Sequence, residues 1–426
     1  MITGNTRLFL LAFFSAAAVC CAAEKNVADP LLEAARNGDT VSQLTVADQY
    51  FFGRNKRKVN LHLAAYWFRK AADNGSAKAQ FNYGICCLKG WGVTASPQTG
   101  YLWISKAADQ QLEEAMIVQA ELLFTGLAPE MDPARRFPAM GADVNRSLAI
   151  LRKLSARGNY SAAKTLARVL LKDPELRRKQ AVELRESAMI AARMLPRDVE
   201  CILIYATVLQ NGIGGNTDMK QAISLLHSIE DISPEAMARL SEIYDYGFSV
   251  RQDRQKAFEL CRKAAEQGSP RAQLVLGTRY LEGDMVEHSP EKAFKWISRS
   301  LQGGYPAAAA ALGKCFLDGI GTMPDASRAF ELFMQGANAG DPESQYRLGK
   351  CFLDGTGTEK DFAGAVHWFK TSAKSGHADA ERELGIAMVE GRGTAINRSE
   401  GMNLLRTAAS KGDIQAIEYL NGVQNR

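Results

Sequence analysis

Residues 345–357 read QYRLGKCFLDGTG, and 36 positions earlier residues 309–321 read AAALGKCFLDGIG. Working outward from this pair, Gly268, Gly304, Gly340, Gly376 and Gly412 recur at a strict spacing of 36. Backward from Gly268 the same slot falls on Ile232, Leu195, Gly158, Gln111, Gly75 and Gly38, with steps of 36, 37, 37, 47, 36 and 37. Eleven slots therefore span the chain beyond its first two dozen residues, and a period of this length marks stacked helical pairs.

Each unit carries its own punctuation. Four residues after the slot stands a small residue, as at Ala79, Ala115, Ala162, Ala236, Ala272, Ala308 and Ala380. Leu240, Leu276, Leu312, Leu348 and Leu384 follow at plus eight, and Tyr244, Tyr280, Phe316 and Phe352 at plus twelve. These intervals draw one apolar stripe along a helix. Gly84, Gly277, Gly313, Gly349 and Gly385 sit beside the leucine slot at plus nine, where glycine costs a helix about 1 kcal/mol relative to alanine. A close helix crossing is the reason to accept that cost. Glycine at plus fifteen, from Gly53 and Gly90 to Gly355 and Gly391, predicts a left-handed C-cap. Asn60, Ser96, Asp218, Asp253, Ser289, Asp325, Asp361 and Asn397 then predict the N-cap of a second helix. Pro97 and Pro290 fit its first turn, and Pro234, Pro270, Pro306 and Pro342 fit the start of the first helix. Trp67, Trp103, Trp296 and Trp368 read as core of the second helix. One unit is helix, glycine loop, helix, turn, and it buries its apolar face only against its neighbours.

The composition agrees: 426 residues, 46% apolar and 23% charged, with 52 basic against 47 acidic side chains. A net charge of +5 is too mild and too dispersed for a nucleic-acid binder. The clusters at 54–58 and at Arg177, Arg178 and Lys179 lie far apart and read as solvated surface rather than as sites for anionic polymers. Residues 1–23 read as a secretory signal, with Arg7 as the positive region, an apolar run from Leu8 to Cys21 and a small-residue cleavage site before Glu24. Residues 24–426 then form the array. This predicts an exported protein, periplasmic or secreted. Lipid attachment at Cys20 is the lesser alternative, because bulky Val19 precedes it. Cleavage leaves Cys86, Cys87, Cys201, Cys261, Cys315 and Cys351. Cys315 and Cys351 occupy equivalent points of neighbouring repeats, and helices packed about 8–10 Å apart hold them beyond the reach of a bridge. Buried free thiols are the expectation.

The pattern Ala-x-x-x-Leu-Gly-x-x-Tyr/Phe-x-x-Gly-x-Gly, followed by an acidic N-cap, Ala, Trp and Ala-Ala-x-x-Gly, resembles the Sel-1-like repeat of the tetratricopeptide superfamily. It is plainest in Ala272 to Gly283 and Gln345 to Gly357, and degenerate over about 111–232. The resemblance implies an all-α, right-handed α-solenoid of about eleven repeats whose members act as adaptors and scaffolds. It implies a protein or peptide partner and no cofactor. A cysteine-rich branch of the same family is described as penicillin-binding with β-lactamase activity. That branch pairs cysteines within each repeat, whereas Cys315 and Cys351 have no partner in theirs.

Two places invite a partner. If first helices line the concave surface, their exposed positions form ladders: Glu282, Asp318, Asp354 and Glu390 at plus fourteen, Lys314 and Lys350 at plus ten, with Arg347 alongside. They read either as a groove for a peptide or as a rim of internal pairs. The 47-residue step also contains a surplus loop at about 127–140, whose Arg135, Arg136 and Phe137 offer a cationic and aromatic tip or merely a Pro-stiffened spacer. Catalytic motifs are lacking: no G-x-x-x-x-G-K-[ST], H-E-x-x-H or G-x-S-x-G occurs, and the five histidines are scattered. Ser161-x-x-Lys164 and Ser289-x-x-Lys292 match S-x-x-K at a frequency expected by chance, with no S-D-N or K-T-G. The expectation is a non-enzymatic scaffold without catalytic, metal or cofactor residues.

Overall fold

The computed structural model describes residues 29–126 and 143–424. All of their regular structure is helical, in repeated helix-turn-helix pairs that form a solenoid. The chain divides into two compact units, Met1–Leu225 and Leu226–Arg426. The expected signal and the tip Arg135, Arg136 and Phe137 lie outside the described residues.

Among the described residues a first helix follows each of the eleven slots, from Thr40–Phe52 to Ile414–Gln424. Wherever the slot is glycine its φ lies between 81° and 98°, a left-handed turn that reverses the chain between repeats. Gln111 adopts the same region at φ 63°. The glycine at plus fifteen closes the first helix as a left-handed cap, for example with the Gly355 amide donating to the Cys351 carbonyl at 2.8 Å. The predicted second-helix caps all act, including Asp325 accepting from the Arg328 amide at 2.9 Å and Asp218 from the Gln221 amide at 2.9 Å. Pro306 stands one position earlier than expected, at the cap of Ala307–Asp318 instead of inside its first turn. At the degenerate slot Gly158, Asp173 replaces the capping glycine. Its backbone stays extended, and its carboxylate nucleates an additional short helix, Pro174–Lys179, that carries the second basic cluster.

The costly glycines at plus nine mark close crossings, as expected. A Cβ at Gly313 would stand 2.4 Å from the Phe333 ring, and one at Gly349 2.6 Å from Phe369. Both rings are fully buried. The second glycine of each Gly-x-Gly loop makes a contact the periodicity did not announce. A Cβ at Gly92, Gly321, Gly357 or Gly393 would lie 2.0–2.3 Å from the first carbonyl oxygen of the preceding repeat's second helix. Ser249 and Met285 fill this position in two repeats, and they keep the left-handed backbone at φ 58° and 62°.

A recurrent glutamine at slot plus five supplies the polar tie. Gln43, Gln80, Gln273 and Gln345 are buried and donate to the carbonyls of Ala35, Ala72, Ala265 and Ala337 at 3.0–3.3 Å. Each bond joins a first helix to the second helix before it. Of the tryptophans, Trp67 is fully within the core and Trp103, Trp296 and Trp368 pack against it.

Two alanine substitutions separate these effects. Gly340 has φ 87° and nothing within 4 Å of its Cβ position, so Gly340→Ala should cost only the left-handed strain, about 1 kcal/mol. Gly357→Ala adds a backbone collision and should cost a further 1–3 kcal/mol, roughly. Urea midpoints of the two variants check the order, and equal midpoints would refute the contact.

Candidate functional site

In a helix, positions three, six, seven and ten after the slot share one face. In the N-terminal unit consecutive first helices turn that face to a single cavity of about 370 Å³. The helix Thr40–Phe52 contributes Asp48, Phe51 and Phe52, and Ala77–Lys89 contributes Lys78, Phe81, Asn82, Ile85 and Cys86. Glu113–Thr125 adds Glu114, Ile117, Val118 and Glu121, and Tyr160–Lys172 adds Ser161, Lys164, Thr165 and Arg168. Trp91 and Phe68 complete an aromatic end. Phe51 stands at its centre, with ring centroids 5.6 Å from Trp91 and 6.0 Å from Phe68.

The opposite end is ionic. Lys164 is 2% exposed, and its Nζ lies 2.9 Å from Asp198 Oδ2 and 3.5 Å from Glu200 Oε2. Asp198 meanwhile caps Val199–Gln210 by accepting from the Cys201 amide at 3.0 Å. The Arg168 guanidinium joins Glu121 on one neighbouring helix to Glu200 Oε1, 3.3 Å away, on the other. One alternating chain of charges thus crosses three first helices. Burial pushes the Glu121 carboxyl above its ordinary range, against the pull of Arg168. At Asp198 burial acts in the same sense but is outweighed, so Lys164 and the Cys201 amide hold that carboxyl below its ordinary range.

This geometry answers the S-x-x-K match. The Lys164 hydrogen bond goes to Asp198, and Ser161 is exposed without an ordered contact to that lysine. The six cysteines are free and buried, as expected. Burial raises the thiol of Cys86 to about 12 and those of Cys261, Cys315 and Cys351 to about 11, which leaves them protonated and weakly nucleophilic near neutrality. Among the described residues no group of three His, Cys, Asp or Glu side chains is placed to hold a metal, and no helix is long and apolar enough to cross a membrane.

In the C-terminal unit Arg347, Lys314 and Lys350 occupy the same register, at plus seven and plus ten. Arg347 is held by Glu343 at 2.6 Å, and Lys350 by Asp354 at 3.2 Å. Glu282, Asp318, Asp354 and Glu390 are each the exposed last residue of a first helix, and Glu390 pairs with Arg392 at 2.8 Å. Arg347, Lys350, Asp354 and Glu390 are thus engaged within their own repeats, and among the described residues no ion pair engages Glu282, Lys314 or Asp318. The cavity in the N-terminal unit escaped the periodic reading because Lys164, Asp198 and Glu200 sit in the degenerate repeats. Their one audible signal was a lysine at plus six, where the neighbouring repeats carry Phe81 and Ile117.

Removing one member of a buried ion pair leaves the other charge desolvated, at a cost of about 3–5 kcal/mol. Lys164→Met should therefore lower stability by roughly that amount at pH 7. A carboxyl depressed in the folded state stabilises above its unfolded pKa, about 3.9. That stability is lost as the pH falls through the depressed value. Urea titrations at pH 7 and pH 3 should show the variant's deficit shrinking in acid.

Comparison with known proteins accords with this architecture. The protective antigen c5321 of uropathogenic Escherichia coli, which displays an SLR fold, superposes with a TM-score of 0.50 at 24% identity, over 93% of this chain and 82% of that one. A Sel1 repeat protein from Oxalobacter formigenes gives a TM-score of 0.46 at 25% identity, over 62% of this chain and 99% of its own. No curated protein matches the chain. The Sel1 repeat itself matches residues 42–76, 77–112, 234–269, 270–305, 306–341, 342–377 and 378–413. With the repeat recognised over more than half of its length, the chain belongs to the Sel1 repeat family.

Proposed function

We propose that this protein is a non-enzymatic scaffold, exported to the cell envelope or beyond, that binds a protein or peptide segment along the concave face of its first helices. Sel1 repeats are generally protein-interaction scaffolds. The observation that carries the reading to this chain is the cavity of about 370 Å³, formed where successive repeats present the same helix face. It is of the size that ligands occupy, about 300–1,000 Å³, and pairs an apolar body with a few placed polar groups. At its charged end Glu121, Asp198 and Glu200 are held in ion pairs by Lys164 and Arg168, which suits shape-selective binding better than bond-making chemistry. The export part rests on residues 1–23 and their cleavage pattern before Glu24.

Filling the groove tests the binding. Val118→Trp should remove the partner recovered by cross-linking in the source cell while helicity is retained, and undiminished capture would refute the site. The paired substitution Asp318→Lys and Asp354→Lys asks the same of the second unit's ladder. N-terminal sequencing of the mature protein should begin at Glu24, and an intact Met1 in the cytoplasmic fraction would overturn export.

A further inference from the structure

We infer that the cavity of the N-terminal unit receives a lysine or arginine side chain carried by an apolar peptide segment. This rests on the peptide-binding reading and specifies its partner.

The argument begins with charge. At the ionic end Glu121, Asp198 and Glu200 face only Lys164 and Arg168, which leaves one negative charge in excess. At the aromatic end the lining acids Asp48 and Glu114 stand with Lys78, and Arg54, outside the lining, also draws on Asp48. In a chain of net charge +5 the cavity lining thus carries one negative charge in excess, with Asp48, Glu114, Glu121 and Asp198 against Lys78, Lys164 and Arg168. Complementarity selects a cationic occupant and disfavours an anionic one such as nucleic acid.

Asp48 locates the cation. It stands on Thr40–Phe52 with Phe51 and Phe52 three and four positions on, so carboxyl and rings share a helix face. It is half-buried, and among the described residues no hydrogen bond or ion pair engages its carboxyl. Burial raises that carboxyl above its ordinary range, with Lys78 and Arg54 drawing it down only from a distance. Arg54 lies over the Phe52 ring, 4.7 Å from its centroid. A carboxylate partly withdrawn from water without gaining a partner is favourably met by a cation from outside. The surrounding rings favour the same occupant, since their faces attract ammonium and guanidinium groups and their edges pack the aliphatic stem. Ile85, Ile117 and Val118 continue the apolar lining for the residues that flank it.

The test uses two fluorescein-labelled decapeptides, one of alternating lysine and leucine and one with glutamate in place of lysine, titrated by anisotropy against the full chain. The lysine peptide should bind and the glutamate peptide should not. Asp48→Asn, which keeps the shape, should weaken the lysine peptide about tenfold. Val118→Trp should abolish binding, and Val118→Lys replaces it where circular dichroism shows that the tryptophan disturbs folding. Equal affinity for both peptides, no binding of the lysine peptide, or an unchanged affinity in Asp48→Asn would overturn the inference. If peptide binding then still vanishes with Val118→Trp, the groove reading stands without its cation. Binding indifferent to both Val118 variants would sink the groove reading itself.

Discussion

The array depends on one close approach. At Gly92, Gly321, Gly357 and Gly393 the loop backbone lies against the first carbonyl of the preceding repeat's second helix, at a distance that leaves no room for a Cβ there, whereas Ser249 and Met285 take the same place in two other repeats with the same left-handed backbone. Loop and helix start are thereby set in a fixed relation, and within each unit these repeats are placed by the one before them. The interior glycines at plus nine do the same within a repeat, letting the rings of Phe333 and Phe369 come close to the opposing backbone. Packing of this kind stabilises only through neighbours, so the unit of stability is the interface between repeats rather than the repeat itself. The buried glutamines add direction to that interface, because each gives a second hydrogen bond to a carbonyl near the end of the previous helix that already accepts from the slot glycine's amide.

A constant stride has a functional consequence. When every first helix arrives in the same register, positions three, six, seven and ten are stacked into columns, and a row of ordinary side chains becomes a groove. In the N-terminal unit those columns change character along their length, from Phe81, Ile85 and Ile117 to the chain of charges from Glu121 to Asp198. The degenerate repeats are where this change occurs. Lys164 and Arg168 there replace apolar contacts between first helices by ion pairs, which contribute orientation at some cost in desolvation. In the C-terminal unit the corresponding positions close upon each other, with Glu343 shared between Arg347 and His377, and Arg382 held by Asp379 and Asp413.

Much of the helical grammar was legible from residue order. Caps such as Asp325 and Asp361, the terminating glycines and the alanine and leucine stripes act locally, within one turn, so their meaning survives in sequence alone. The acidic ladder was legible as exposed helix ends, and the structure adds that Asp354 and Glu390 find cations in their own repeats. The Lys164 cluster could not be read, since its carboxylates come from residues 34 and 36 positions away, in a stretch where the repeat pattern is weakest.

By itself the sequence determined that the fold is all helix, that its repeat is 36 residues long, and where most helices begin and end, because those properties follow from backbone hydrogen bonding and apolar periodicity over a few residues. Only the tertiary structure decided which faces of those helices meet. The cavity, the unpartnered Asp48 and the buried Lys164 are products of stacking, in which side chains from successive repeats converge on a volume that none of them encloses alone.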